Sequence, residues 1–417
     1  MNPARSTSSP RSRKKVVLGL FAVVPALALI AACGSSTEAA SSGDSAIKFP
    51  AGTQAGVKAS GTPVKIGIVN PEGGPAISHP ESREAAEAAI KYANDNLGGI
   101  GGHPIEAVIC KSMEDAASVR DCGNQMVEAK VAAVQSTTTG NGDSMAPIIT
   151  KAGIPYFSAS GSSASELTSP NSYMWTGGFP GTMIAMAKYS AEKGYKDVTI
   201  FVTNVPSAVG GTTSLGVPAF EAAGVTLKVV PIPLGLPDAT PQVSAGLKGK
   251  PGGFIVVGDG TMCTSVLKAA QTLGTTADKI IIQPCMDIST VKAVGAGMEE
   301  AHVFTQSDLV GTDDETLLYH AIMAKYSPKT EPDGYAAVGY QGMMSMIRAT
   351  KDITGDPTNE SIIAAIEAAK DVPLPLAPGG TFTCDKKALQ GLTAVCSVGT
   401  LVGTVKDGKT TDLKLVK

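Results

Sequence analysis

The sequence predicts an α/β protein of two lobes, each built on an open, mostly parallel sheet. Three observations carry this. From Val64 onward, short β-rich runs alternate with stretches of helical spacing. The runs are almost continuously apolar, as strands are when helices cover both faces of their sheet. The alternation then runs a second time over a similar length, so the chain carries two βαβ series without any repeat of sequence.

In the first series the strand candidates are VKIGIV (64–69), IEAVIC (105–110), VAAVQS (131–136) and IPYFSAS (154–160). Residues 81–97, 115–129 and 144–151 between them have helical spacing. In 81–97, Ala85, Ala89, Tyr92 and Ala93 recur at three- to four-residue steps. The second series offers VTIFVT (198–203), VTLKVV (225–230), GFIVVGD (253–259), KIIIQP (279–284) and HVFTQ (302–306), with helices near 182–193, 217–223, 262–273 and 290–296. Longer helices follow at 314–326, 335–354 and 361–369, then a Cys-bounded hairpin candidate at 381–405. Helices followed by strands, after two complete series, predict that the chain returns to each lobe in turn. Open parallel sheets bind ligands beyond the carboxyl ends of their strands. Two such lobes, facing each other, would enclose a cleft.

The chain has 417 residues, enough for two domains at roughly 100–200 residues each. A hydrophobic share of 43% with 17% charged residues suits a packed core and argues against disorder. The formal charge of −3 hides an uneven distribution: residues 1–32 hold Arg5, Arg11, Arg13, Lys14 and Lys15 and no acid. Without them 29 basic and 37 acidic residues remain, a net of −8. With no Lys/Arg cluster after residue 33, nucleic acid is excluded as a partner.

Residues 1–32 read as an export signal: basic residues, then an apolar run of 17 residues interrupted by Pro25, then small residues. The run is short against the roughly 20 residues of a membrane span. Its end, Ile30-Ala31-Ala32-Cys33, resembles a bacterial lipoprotein box, which implies cleavage before Cys33 and lipid (palmitate among its acyl chains) on the Cys33 sulfur. The alternatives are a plain signal peptide with an incidental cysteine, or an uncleaved anchor. Residues 34–62 are rich in Ser, Gly, Ala and Thr and lack apolar periodicity. With Cys33 they read as a flexible tether, 33–62, between membrane and body.

Three stretches carry a resemblance to a known family: VKIGIVNPEGGPAI, a strand into a Gly/Pro loop; AIKYANDNLGGIGGHPIEAVIC, a helix ending in Asn and Gly-Gly before the second strand; and AGIPYFSASGSSASELT, a strand into a Ser-rich loop and a helix. Their order and spacing resemble the type I solute-binding proteins of ABC importers, in particular the branched-chain amino acid-binding group, over about residues 63–410. The resemblance implies two Rossmann-like lobes of the periplasmic binding protein-like I class, joined by three hinge strands and closing on a small polar solute. Lobe one would be 63–177 plus 308–378, and lobe two 178–307 plus 379–417. It also implies a monomer outside the cytoplasm, an ABC permease as partner, no cofactor, no metal and no catalysis.

Four loops are the candidate site. In STTTGNGDS (136–144) exposed N–H groups and hydroxyls could hold an anion at a helix start, or simply cap that helix. The resemblance implies that this loop holds a ligand carboxylate, with Thr138 and above all Thr139 as the hydroxyls. In SASGSSAS (158–165), small residues permit close approach of a ligand to the backbone. The resemblance implies a carbonyl and a hydroxyl there, which fall on Gly161 and Ser163, beside Ser160. In lobe two, GDGTMCTS (258–265) and QPCMDIS (283–289) follow buried strands. The family's amino acid binders place a carboxylate here for the ligand ammonium. The matching position is Cys285, which cannot do this. Asp259 and Asp287 are the candidate replacements, with Thr261 beside them, though each acid could equally cap a turn. An aromatic residue of those binders falls near Ala208. Met262 or Met286 would meet apolar parts of a ligand. His79, in PAISHPES after the first strand, could face the cleft but reads rather as a surface loop residue.

Seven cysteines leave one over if six pair. Six allow 15 pairings. Sequence neighbours and proposed sheet neighbours select Cys110–Cys122, Cys263–Cys285 and Cys384–Cys396, leaving Cys33 for lipid. Metal binding or free thiols are the alternative, but no Cys-x-x-Cys or Cys/His spacing supports a metal. Enzyme signals are weak, since GGIGGHP follows a helix and no phosphate loop or nucleophile elbow stands out. The leading expectation is therefore a lipid-anchored binding protein for an amino acid or a related small carboxylate or amide. A ligand-sensing lipoprotein of the same fold comes second and an extracytoplasmic hydrolase a distant third.

Overall fold

The computed structural model describes residues 47–54, 56–74, 77–159 and 161–416. The export signal, Cys33 and the tether up to residue 46 lie outside these. Among the described residues no helix is long and apolar enough to cross a membrane.

Five strands form the first sheet: β1 (Val64–Pro71), β2 (Ile105–Ser112), β3 (Ala133–Ser136), β4 (Tyr156–Ser158) and β5 (Ser172–Tyr173). Their order is β2-β1-β3-β4-β5, and all neighbours are parallel. Val69 lies opposite both Cys110 and Ser136, so the loops that leave β1, β2 and β3 emerge side by side. The second sheet holds β6 (Asp197–Thr203), β7 (Thr226–Ile232), β8 (Gly253–Val257), β9 (Asp278–Ile282) and β10 (His302–Thr305). Beyond a short antiparallel pair, β11 (Val372–Pro373) with β12 (Thr381–Phe382), the chain adds β13 (Thr400–Lys406) and β14 (Lys409–Val416) to the second sheet. The order there is β14-β13-β10-β9-β8-β6-β7, parallel from β7 to β10, with β13 antiparallel to both its neighbours.

The 381–405 hairpin expected from the cysteines does not form. Thr381–Phe382 pairs backward with Val372–Pro373, and the Cys384–Cys396 disulfide closes an irregular loop. The hairpin forms instead between β13 and β14, turning at Asp407 (φ 51°) and Gly408 (φ 70°). An Asp-Gly pair with both residues left-handed is the turn whose twist matches antiparallel strands. Two further disulfides join Cys110 to Cys122 and Cys263 to Cys285.

Three passages of chain connect the sheets: after β5, after β10 and between β12 and β13. The first is bound to the third, and the second to the turn between β11 and β12. Met174 N–H donates to the Ala394 carbonyl, Cys396 N–H to the Met174 carbonyl, and Asp308 N–H to the Leu376 carbonyl. Gln341 Nε2 donates to the carbonyls of Gln306 and Pro375, both at 2.7 Å. Beside them Trp175 stacks on Phe157 at 4.7 Å and meets Phe382 at 4.9 Å, all fully buried.

The helices Pro80–Asn96 and Ala336–Ala349 cover the first sheet and pack on each other. They approach closely because the contact is lined with Ala and Gly; a methyl on Gly339 would strike the Ser82 carbonyl. At the start of the first of these helices, Arg83 donates to Glu72 at 2.8 and 3.0 Å, and the Lys111 ammonium also reaches Glu72 at 2.8 Å.

Gly339→Ala should therefore lower stability by about 1–3 kcal/mol in urea unfolding, the usual cost of overpacking a tight contact. A second prediction concerns acid. The Arg83 hydrogen bond holds the Glu72 carboxyl at about 2 instead of 4.5. Its contribution to stability is present above 4.5 and lost as pH falls toward about 2. Arg83→Met should flatten the dependence of Tm on pH across that window.

Candidate functional site

The carboxyl ends of both sheets face one cavity of about 290 Å³. Its first wall comes from loops after β1, β2, β3 and β4 and from the start of the helix Ala336–Ala349. Its second comes from loops after β6 to β10 and from the helix Gly178–Glu192. The lobes approach closely across it. A methyl on Gly140 would lie 2.8 Å from Ser207 Oγ, and one on Gly211 would lie 3.5 Å from the Ser162 side chain.

Of the expected ligand contacts, Thr138, Thr139 and Asp259 line the cavity. Asp259 also caps the helix Gly260–Thr272, accepting from Met262 N–H at 2.9 Å. Gly161, Ser163, Thr261 and Asp287 do not line it. Ser163 is spent on the cap of the short helix Ala164–Thr168, where it and Glu166 bond reciprocally. Thr261 is exposed in the first turn of its helix. Asp287 caps Ile288–Val294 through the N–H groups of Ser289 and Thr290. Ser160 lies outside the described residues. Met262 is a core residue of the second lobe, and Met286 packs against the same core. Phe179, Val205, Leu234 and Ile282 supply the apolar lining instead. Cys285 is buried in its disulfide, and Ala208 lines the cavity at the position of the family's aromatic residue.

Three polar cavity residues were not among the expected ligand contacts. His79, read as a surface residue, lines the cavity with its ring stacked on Tyr335 at 3.8 Å. Burial pushes the Tyr335 hydroxyl up to about 12, with the Asp259 charge adding to it. The third is Glu114, between β2 and the helix Ala116–Glu128. Its φ of 59° is left-handed, a conformation that costs a non-glycine residue roughly 1–3 kcal/mol. Asp115 caps the helix, and Glu114 turns away from it onto the 138–141 loop. There Glu114 Oε1 accepts from Gly140 N–H, from Thr139 Oγ1 at 3.1 Å and from Asn141 Nδ2 at 3.4 Å. Burial pushes its carboxyl up, against the pull of these bonds. An acidic pair at a helix start reads as a cap, so nothing in the local sequence sets Glu114 apart.

Glu166 does the same at the other loop. Its Oε2 accepts from Ser162 N–H (3.3 Å), Ser163 N–H (3.2 Å) and Ser163 Oγ (2.9 Å), while Tyr156 donates to Oε1 at 2.9 Å.

A two-lobed α/β body, with a cavity where its two sheets face each other at their carboxyl edges, defines a protein that captures a ligand between its lobes. The chain belongs to the periplasmic binding protein family, whose model matches residues 63–398. Its fold is the type I form. It is similar to a leucine-binding protein LivK from Thermotoga maritima (18% identity, 85% of this chain and 98% of that one, TM-score 0.69). It is also similar to the binding protein LivJ from Streptococcus pneumoniae, solved with isoleucine (19%, 85% and 99%, 0.68). A third is a solute-binding protein from Rhodopseudomonas palustris, solved with 3,4-dihydroxybenzoic acid (19%, 84% and 95%, 0.68). At these identities the likeness is one of fold. No curated protein sequence matches the chain.

Glu166→Ala would strand three buried donors and the half-buried Ser162 N–H. It should cost at least about 3 kcal/mol in chemical denaturation, taking about 1–3 kcal/mol for each group left unpaired.

Proposed function

We propose that this protein is an extracytoplasmic lipoprotein that captures a small solute between its lobes and delivers it to an ABC importer, without chemistry on the solute. The solute class is that of amino acids and related small carboxylates and amides. One observation carries this reading: the cavity is built from the strand ends of both sheets, so a ligand seated there would be enclosed by lobe closure, with the three connecting passages taking up the rotation. Family membership supports it, and the neighbours solved with isoleucine and with dihydroxybenzoic acid show that this fold takes small organic solutes. Thr138, Thr139 and Asp259 are the proposed contacts from the sequence reading, joined by Glu114, His79 and Tyr335. Lobe one is proposed as 63–177 plus 308–378, and lobe two as 178–307 plus 379–417. The protein would act as a monomer, held to the membrane by lipid on Cys33, its permease in the same membrane.

A thermal-shift screen against amino acids, small acids, amides and aromatic acids should return a solute that raises Tm by mass action. Thr139→Ala removes a hydrogen bond that holds the 138–141 loop to Glu114 and should weaken that solute about tenfold, the worth of roughly one good hydrogen bond. Unchanged affinity would remove the 138–141 loop from the site. Mass spectrometry of the membrane-extracted protein should show an acylated N-terminal Cys33, and an unmodified peptide spanning it would refute the anchor.

A further inference from the structure

We propose that Glu114 is the ligand's anchor in the first lobe, and that the solute presents a cationic nitrogen, not a carboxylate, to the loop of residues 138–141. This rests on the solute-binding reading above and specifies which end of the solute lies where.

Three of the loop's donors are already occupied by an acid of the protein itself. Gly140 N–H, Thr139 Oγ1 and Asn141 Nδ2 converge on Glu114 Oε1. In the neighbouring loop, the N–H groups of Ser162 and Ser163 and the Ser163 hydroxyl converge on Glu166 Oε2. A solute carboxylate would have to displace one of these buried acids or lie beside it. Thr138 lines the cavity too, and its hydroxyl both donates and accepts, so it serves either polarity.

The fully buried side-chain atoms that remain unspent have one polarity. Among the described residues that line the cavity, the buried side-chain atoms without a partner are Glu114 Oε2 and Gln306 Oε1. Both are acceptors, and the Gln306 amide is oriented by Nε2 donating to Thr182 Oγ1 at 3.0 Å and to Thr400 Oγ1 at 3.3 Å. Charge agrees. The carboxylates on the described lining are Glu114 and Asp259, and the lining includes no lysine or arginine. Burying a carboxylate among carboxylates is opposed by both desolvation and repulsion, whereas a cation meets compensating charge. Burial raises the Glu114 carboxyl, and a cationic nitrogen at Oε2 would oppose that shift.

The test uses matched probes on the full chain: isoamylamine, benzylamine and L-leucinamide against 4-methylpentanoate, benzoate and N-acetyl-L-leucine. The amines should raise Tm and the acids should not. In Glu114→Gln the loop donors still engage the amide oxygen, which leaves the amide nitrogen, a donor, where Oε2 was. Amine affinity should then fall on the order of 100-fold, as when a buried charge loses its partner. Wild-type stabilisation by the acids and not the amines would overturn the proposal while leaving the solute-binding reading intact. So would a Glu114→Gln protein that binds the amines as tightly as wild type. If neither set moves Tm, the proposal falls and the solute-binding reading for this class falls with it. The wild-type comparison is decisive even if Glu114→Gln does not fold.

Discussion

Two internal carboxylates organise the first wall of the cleft. Glu166 is 1% exposed and takes four hydrogen bonds, from two backbone N–H groups, a serine and a tyrosine. Desolvating a carboxylate is costly unless such donors converge on it, so the loop after β4 is held by the need to satisfy this one side chain. The constraint spreads to its neighbours. Gly142 is glycine where any side chain would strike the Glu166 carboxylate, and the 138–141 loop is in turn pinned to Glu114. The two loops are preorganised by charge inside the protein, before any ligand arrives.

This arrangement changes what the type I fold offers a solute. Backbone N–H groups at a loop-to-helix junction attract anions in general, and a protein can use up that capacity with its own acid. Here both loops spend part of it in that way. The left-handed backbone at Glu114 is the local cost, and the loop after β2 bears it because Asp115 anchors the helix behind it. Opposite, the second wall is mainly apolar, and its helix begins at Pro206 beside the cavity and passes through a π turn, Thr212–Gly216. Thr212 and Thr213 bond back to the carbonyls of Ala208 and Val209 there. Such turns recur near functional sites.

The elements legible in the sequence were those with a strong local period. The continuous apolar runs became the central strands, and the helix expected over 314–326 is the observed Asp314–Tyr326. Weak local signals failed. The helical passage from Pro206 to Ala222 was expected only from 217, because Gly210, Gly211 and two threonines carry little helix propensity. β5 is two residues long and has no period to detect. At the candidate site, Thr138, Thr139 and Asp259 follow predicted strands and were found by topology. Glu114 and His79 were not, because their roles depend on partners distant in the chain, the 139–141 loop and Tyr335.

By itself the sequence determined two βαβ series and the loops at their strand ends, because hydrophobic period and turn chemistry are local properties. It also determined which cysteines lie near enough along the chain to meet. Only the tertiary structure decided what those loops hold. Whether an N–H array faces a ligand or an internal carboxylate depends on side chains brought from 25 residues away, as Glu114 is to Thr139, and on the left-handed turn that carries them there. The sign of charge a cleft accepts is thus a sum over distant parts of the chain, which no local stretch encodes.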